Sequence, residues 1–226
     1  MNVLIVTDSR GRGLDQRIQG VPRLNACHIK TAFLPGASLE RLAIETIQEA
    51  GRSEYDWLIV FGGICSFTEK VNYRGEKRLH YPIEKSEEKK TKAIETIEDL
   101  YRRFPNKANV CTIPPASPTK YFTTNNPGKS TPEGLEEEGK KLIEDLETVN
   151  NKIRELDIEK NQETINTSAR VFKHSLKRYK KQTTYRRVTR FSDKELPDGV
   201  HFNVELGETI HYIIIENIYK KIQDNQ

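Results

Sequence analysis

The chain is poor in the residues that would tie it to an oxidising compartment or to a lipid phase. Three cysteines, Cys27, Cys65 and Cys111, stand in 226 residues. Their number is odd, their spacings are wide and each lies beside apolar residues, so neither a disulfide framework nor a zinc or other metal site is expected. Long hydrophobic runs are also missing. The opening run, Val3 to Val6, is far shorter than a signal-peptide core or a membrane span. The expectation is therefore an intracellular chain, cytoplasmic or nuclear, with no membrane span, in which the sequon Asn166-Thr167-Ser168 arises by chance. One Trp, one Met and 35% apolar residues against 31% charged ones leave a lean core. A mean hydropathy of -0.72 puts much of the length in solvated helix surface or loop. The net charge of +4 is too small for a general polyanion binder, which directs attention to how the charge is distributed.

What is present is an alternation. Short apolar runs bounded by turn residues occur at Val3 to Val6, Ala26 to Ile29, Trp57 to Phe61 and Asn109 to Ile113. Between them, apolar residues recur at helical spacing over Leu39 to Ala50, Thr91 to Phe104 and Leu135 to Leu156. A final helix reads from Val204 to about Ile222, with Leu206, Ile210, Ile213, Ile214 and Ile218 as its buried stripe. Strands and helices that alternate this way build a parallel sheet with helices on both faces, joined by right-handed crossovers. The length suits a single domain spanning residues 1–226. A short strand is expected at Thr164 to Thr167, followed by a basic loop or insertion at about 168–192. Lys70 to Lys90 is charged and without apolar period, so it reads as a surface excursion.

In such a sheet the ligand crevice lies beyond the carboxyl ends of the strands, which is where Asp8-Ser9 follows the first strand. Asp or Ser in that position serves most often as a helix N-cap. The alternative is a nucleophile, which needs a base to take its proton and a carboxylate to hold that base. Asp198 and His201 offer both, three residues apart, directly before the last helix. A DxxH pair is weak alone and also fits a turn with a satisfied histidine.

Taken in order, Asp8-Ser9 after the first strand, Gly36 after the second, Gly62-Gly63-Ile64-Cys65 after the third and Asp198-Gly199-Val200-His201 before the last helix resemble the four blocks of the SGNH (GDSL-like) hydrolases. The resemblance covers residues 3 to about 222. It implies a flavodoxin-like three-layer α/β/α sandwich with a parallel sheet of about five strands. It also implies a serine esterase or acyl hydrolase that needs no metal or cofactor and works on a small ester through an acyl-enzyme. Ser9 would attack, His201 would act as base and acid, and Asp198 would orient it. The oxyanion would lie against the N–H groups of Ser9 and Gly36 and a side chain of the third block. More narrowly, the DGVHxN stretch after a basic region resembles the esterase-like domains of some retrotransposon and mobile-element proteins.

Two departures from the pattern stand out. Thr7 replaces the glycine that usually precedes Asp-Ser. In the third block, Cys65-Ser66 replaces the usual Asn-Asp pair, whose amide is an oxyanion donor. A thiol donates poorly, and loss of one such donor costs roughly a hundred- to a thousandfold in rate. Slow turnover, Ser66 as a substitute donor, or loss of activity all follow as alternatives. Arg10 and Arg12 flank the serine and are candidates for binding an anionic substrate, or else solvated surface charge.

The segment Arg170 to Arg190 holds nine Lys or Arg and no acid, with Phe172, Tyr179 and Tyr185 interleaved. Cations among aromatic rings can track a phosphate backbone. Lys177, Arg178, Lys180, Lys181, Arg186 and Arg187 are the candidate contacts to nucleic acid or another anionic surface. The rival to the hydrolase is thus a binding module in which catalysis has decayed. A nucleotide-binding Rossmann domain ranks below both, because Gln16 breaks the GxGxxG pattern and Pro127-Gly128-Lys129-Ser130 lacks the spacing of a phosphate-binding loop.

Overall fold

A computed structural model describes residues 1–178, 185–191 and 193–224, with residues 170, 172–178 and 185–191 by backbone only. Four strands, β1 (Asn2–Thr7), β2 (His28–Phe33), β3 (Trp57–Phe61) and β6 (Ala108–Val110), form one parallel sheet in the order β2-β1-β3-β6. The central strands β1 and β3 alternate between two cores. Leu4, Val6, Leu58 and Val60 face one layer, made with α2 (Leu39–Arg52), α3 (Ser86–Arg103) and α5 (Leu135–Glu159). Val3, Ile5, Trp57, Ile59 and Phe61 face the other, against α1 (Leu14–Gln19) and α6 (Val204–Asp224). Burial on both faces is why these strands read as unbroken apolar runs, and why a parallel sheet is the stable solution. The three-layer α/β/α sandwich is as the sequence implies.

β1 connects to β2 on one side and the chain then crosses to β3 on the other, so the strand order reverses at the carboxyl ends of β1 and β3. That switch point holds Asp8-Ser9 and Gly62-Gly63, the place where α/β sheets leave a crevice.

Two expectations are corrected, and two surface segments gain a defined form. The segment Thr164 to Thr167 is not a strand, and the parallel sheet has four members rather than about five among the described residues. Ile165 accepts from the Thr112 N–H at 3.1 Å, but the next partners are side chains. The Thr167 hydroxyl bonds to Thr112 O, and the Thr112 hydroxyl accepts from Ser168 N–H. These bonds turn the chain into a 3-10 turn at Thr167–Arg170 in place of a ladder. The excursion at 70–90 is a hairpin, β4 (Glu69–Tyr73) with β5 (Glu76–His80), and α3 starts at Ser86. Its mostly exposed residues carry no alternation because the hairpin packs on one short helix, α4 (Pro118–Asn125), at whose end Asn126 pairs with both backbone groups of Lys77. The basic loop or insertion contains two paired strands, β7 (Phe172–Arg178) and β8 (Tyr185–Phe191). Lys180 and Lys181 lie outside the described residues. Among the described residues no helix is long and apolar enough to cross a membrane.

Candidate active site

β1 stops at Thr7, and the next carboxylate does two structural jobs. Asp8 Oδ1 accepts from the Arg10 N–H and Oδ2 from the Gly63 N–H, each at 2.9 Å. The first bond caps the 3-10 turn Ser9–Gly11, and the second ties the ends of β1 and β3 together. Gly62 must be glycine, since a Cβ there would overlap the Asp8 carboxylate. Four residues after Thr7, Gly11 must be small, since a Cβ there would overlap the Thr7 side chain.

Because Asp8 does the capping, the Ser9 hydroxyl is left for other work. Its Oγ lies 3.2 Å from His201 Nε2, and His201 Nδ1 lies 2.6 Å from Asp198 Oδ2. Asp198 Oδ1 accepts from the N–H groups of Val200 and His201, at 2.9 and 2.7 Å. Burial alone would raise the Asp198 carboxyl, but these hydrogen bonds outweigh it and hold the group below its ordinary value. A carboxylate that stays ionised fixes Nδ1 as the protonated nitrogen and leaves Nε2 to accept from the serine. Asn203 Oδ1 accepts from the Leu206 N–H at 2.8 Å and so caps α6, anchoring the histidine loop to the closing helix.

Arg10 has a structural role beside its place in the cleft wall. It is buried, and its guanidinium spends its donors on carbonyls: Nε and Nη2 on Val200 O at 3.2 and 3.0 Å, Nη2 on Pro115 O at 2.8 Å and Nη1 on Pro114 O. Its plane lies over Phe202, 5.1 Å from the ring centre. Burial pushes its pKa down to about 10, against the pull of Asp8, so it remains a cation. It is a staple between the serine turn and the histidine loop, with four of its five N–H donors engaged by carbonyls, and it also forms part of the cleft wall beside Ser9. Arg12 is exposed and, among the described residues, makes no ion pair.

At the third block, Ser66 is likewise committed. Its hydroxyl accepts from the Leu39 N–H at 2.7 Å and faces Glu40 Oε2 at 2.9 Å, so it supports the start of α2 and does not serve as a substitute donor. Burial, then the charge of Asp8, raises the Cys65 thiol above its ordinary value, and it stays neutral. Gly36 sits in the turn after β2 at φ +72°, beside the bridge from Ser38 to Gly63. Neither the Ser9 nor the Gly36 N–H has a hydrogen-bond partner among the described residues.

A cleft of about 500 Å³ opens next to Ser9 and His201, between α1 and α6. Arg12, Gln16, Arg17, Asn203 and Glu208 line it, with Gly13 and Gly207 on facing sides. Arg10 lines it as well; of these residues the sequence singled out Arg10 and Arg12, with Asn203 in the DGVHxN stretch, whereas Glu208 and Gly207 carry no signal until α1 and α6 are packed together. No group of His, Cys, Asp and Glu able to hold a metal ion occurs among the described residues.

The sequence matches no protein-family profile and no curated protein. Solved structures do match. A lipase/acylhydrolase from Enterococcus faecalis superposes with a TM-score of 0.61 at 15% identity, over 98% of this chain and 97% of that one. The fold is that of the SGNH hydrolases. A GDSL-like lipase from Bacteroides thetaiotaomicron follows, at TM-score 0.57 and 12% identity over 98% and 88% of the two chains. An acetylxylan esterase from Geobacillus stearothermophilus has the same score at 11% identity over 96% and 93%. The SGNH fold thus extends over the chain nearly end to end.

Proposed function

We propose that the chain is a serine ester hydrolase of SGNH type acting on a small ester, with Ser9 as nucleophile, His201 as base and acid, and Asp198 as its orienting carboxylate. The reading rests on the single file of Ser9 Oγ, His201 and Asp198 at 3.2 and 2.6 Å, assembled from opposite ends of the sequence. The hydroxyl proton passes to Nε2 as Oγ bonds to the carbonyl carbon. The unpartnered N–H groups of Ser9 and Gly36 face the developing oxyanion. Collapse breaks the carbon–oxygen bond, and His201 returns its proton to the departing alcohol. Water then attacks the acyl-enzyme with the same groups, releasing the acid and restoring the serine. The route calls for no metal or cofactor. Of the three alternatives at the third block, slow turnover is favoured, because the neutral Cys65 thiol is a weak donor and the Ser66 hydroxyl is occupied. The exposed Arg12 at the cleft mouth favours substrates with a negative charge.

The test is Ser9→Ala on p-nitrophenyl acetate. Turnover should disappear, together with labelling by a small fluorophosphonate. Turnover that persists in the variant overturns the mechanism.

A second reading adds a nucleic-acid contact of the kind the mobile-element resemblance implies. The register of β7 and β8 places Lys177 opposite Arg186 and Lys173 opposite Arg190, which gathers basic residues on one hairpin. Filter binding of a single-stranded RNA should weaken steeply with salt, and should weaken further when Lys177, Arg178, Arg186 and Arg187 become Ala. Affinity indifferent to those changes removes this reading without touching the esterase.

A further inference from the structure

The cleft beside Ser9 does not end at the α1–α6 seam. A second depression, also of about 500 Å³, lies further along α6 and is lined by Val21, Thr209, Tyr212 and Ile215. The two share Arg17 and Glu208 as common wall. Those two side chains form an ion pair at 2.8 Å and are each about half exposed, at 41% and 50%, so the partition is a surface pair that side-chain rotation can open. Along α6 the residues facing this path, Val204, Gly207, Glu208, His211, Tyr212 and Ile215, fall three or four apart and occupy one face.

Gly207 is the informative member. It lies inside a helix, where glycine is disfavoured, yet packing does not demand it. A Cβ there would meet only the Phe202 Cβ, at 3.9 Å. What the missing side chain leaves is space in the cleft that Ser9 also lines, one residue before Glu208 of the shared wall. Tyr212 stands at the far end with 57% of its surface exposed, one of the few large apolar side chains so uncovered.

We infer that this face of α6 is an acyl-chain track: an ester with a medium-length aliphatic acyl group seats its carbonyl at Ser9 and lays its chain over Gly207, past the Arg17–Glu208 pair, into the groove at Tyr212 and Ile215. From Val204 to Ile215 the helix rises roughly 16 Å, enough for such a chain in extended form. The polar first section suits the ester and its hydration; the apolar second section gains from burying methylenes. The inference rests on the esterase reading for the place of the carbonyl, while the track can be tested without it.

Two measurements decide it. For the intact chain, kcat/KM on p-nitrophenyl octanoate should exceed that on the acetate, and Gly207→Leu and Tyr212→Asp should each lower the octanoate-to-acetate ratio by about tenfold. Thermal midpoints at or above the parent's for Gly207→Leu would show that the helix has not suffered. Independently of turnover, decanoate should bind the full chain in a calorimetric titration and bind both variants more weakly. A ratio unchanged in both variants, or decanoate that fails to bind or binds all three proteins alike, overturns the track. Failure of the esterase reading looks different: Ser9 escapes the fluorophosphonate and no ester is cleaved, whatever decanoate does.

Discussion

Asp8 and Ser9 divide between them two jobs that either residue type could do. The carboxylate takes the cap, through bonds of 2.9 Å to Arg10 and Gly63, and the hydroxyl is released toward His201. On the proposed esterase reading, Cys65 takes the place of an oxyanion-donating amide. If the thiol is the weak place, Cys65→Asn should raise kcat on p-nitrophenyl acetate by roughly tenfold or more, with KM little changed, since an amide adds stabilisation felt only in the transition state. Steady-state kinetics that show no gain would mean that the backbone donors carry the oxyanion alone. Arg10 poses the converse case. Its removal strands the carbonyls of Pro114, Pro115 and Val200 in a dry interior, and each unsatisfied group costs roughly 1–3 kcal/mol. Arg10→Ala should therefore lose on the order of 3 kcal/mol or more in denaturant unfolding. Arg10→Lys should recover only part of this, because a single ammonium cannot reproduce the fork.

Among the elements, the ends of helices govern the site more than their lengths. Asn203 caps α6 two residues after His201, and its own N–H donates to Glu195 O at 2.8 Å. Asn203→Ala should cost about 1 kcal/mol in thermal or denaturant unfolding. It should also lower kcat more than the stability loss explains, because the histidine loop loses its attachment to the helix. The elements differ sharply in how well the sequence announces them. β1, β3 and α2 are legible because burial on one or both faces imposes a run or a period. The β4–β5 hairpin and α4 are not, because they support one another through backbone pairing at Asn126 and through Glu138, which accepts from the Tyr81 N–H at 2.8 Å. Such bonds leave no periodic trace. The expected strand at Thr164 to Thr167 failed for a related reason: hydroxyls at Thr112 and Thr167 took the backbone partners that a ladder would have used.

For the molecule as a whole, one buried group links pH to stability. Asp157, at the far end of the sheet from Ser9, is fully buried; Oδ1 accepts from the Tyr101 hydroxyl at 2.5 Å, and Oδ2 has no partner among the described residues. Burial raises its pKa from 3.8 to about 6, against the hydrogen bonds from Tyr101 and Thr164. The folded chain thus holds this proton more tightly than the unfolded one. Its contribution is most favourable below about pH 4 and is lost as pH rises through about 6, leaving at neutrality a buried carboxylate that meets neutral donors such as Tyr101 and Asn109. Asp157→Asn should stabilise the protein at pH 7.5 by on the order of 1–3 kcal/mol, with the advantage shrinking toward pH 4.5 in paired unfolding curves. An advantage constant with pH would assign the gain to packing.

Sequence alone was enough for the layered parallel architecture, because apolar runs and 3.6-residue stripes are local consequences of which faces must leave water. It was also enough to nominate Ser9, Asp198 and His201, through the resemblance of four ordered blocks to the SGNH hydrolases, since residue type and position alone left a helix cap and a turn histidine open. The fold decided everything that depends on a partner distant in the chain. Arg10 reads as a substrate ligand or a surface cation until carbonyls more than a hundred residues away surround it, Ser66 reads as a spare donor until α2 claims it, and Gly207 gains a role only when α1 faces it. Those outcomes are set by three-dimensional neighbours competing for a few hydrogen-bonding groups and a few cubic ångströms, and no local pattern encodes the result of that competition.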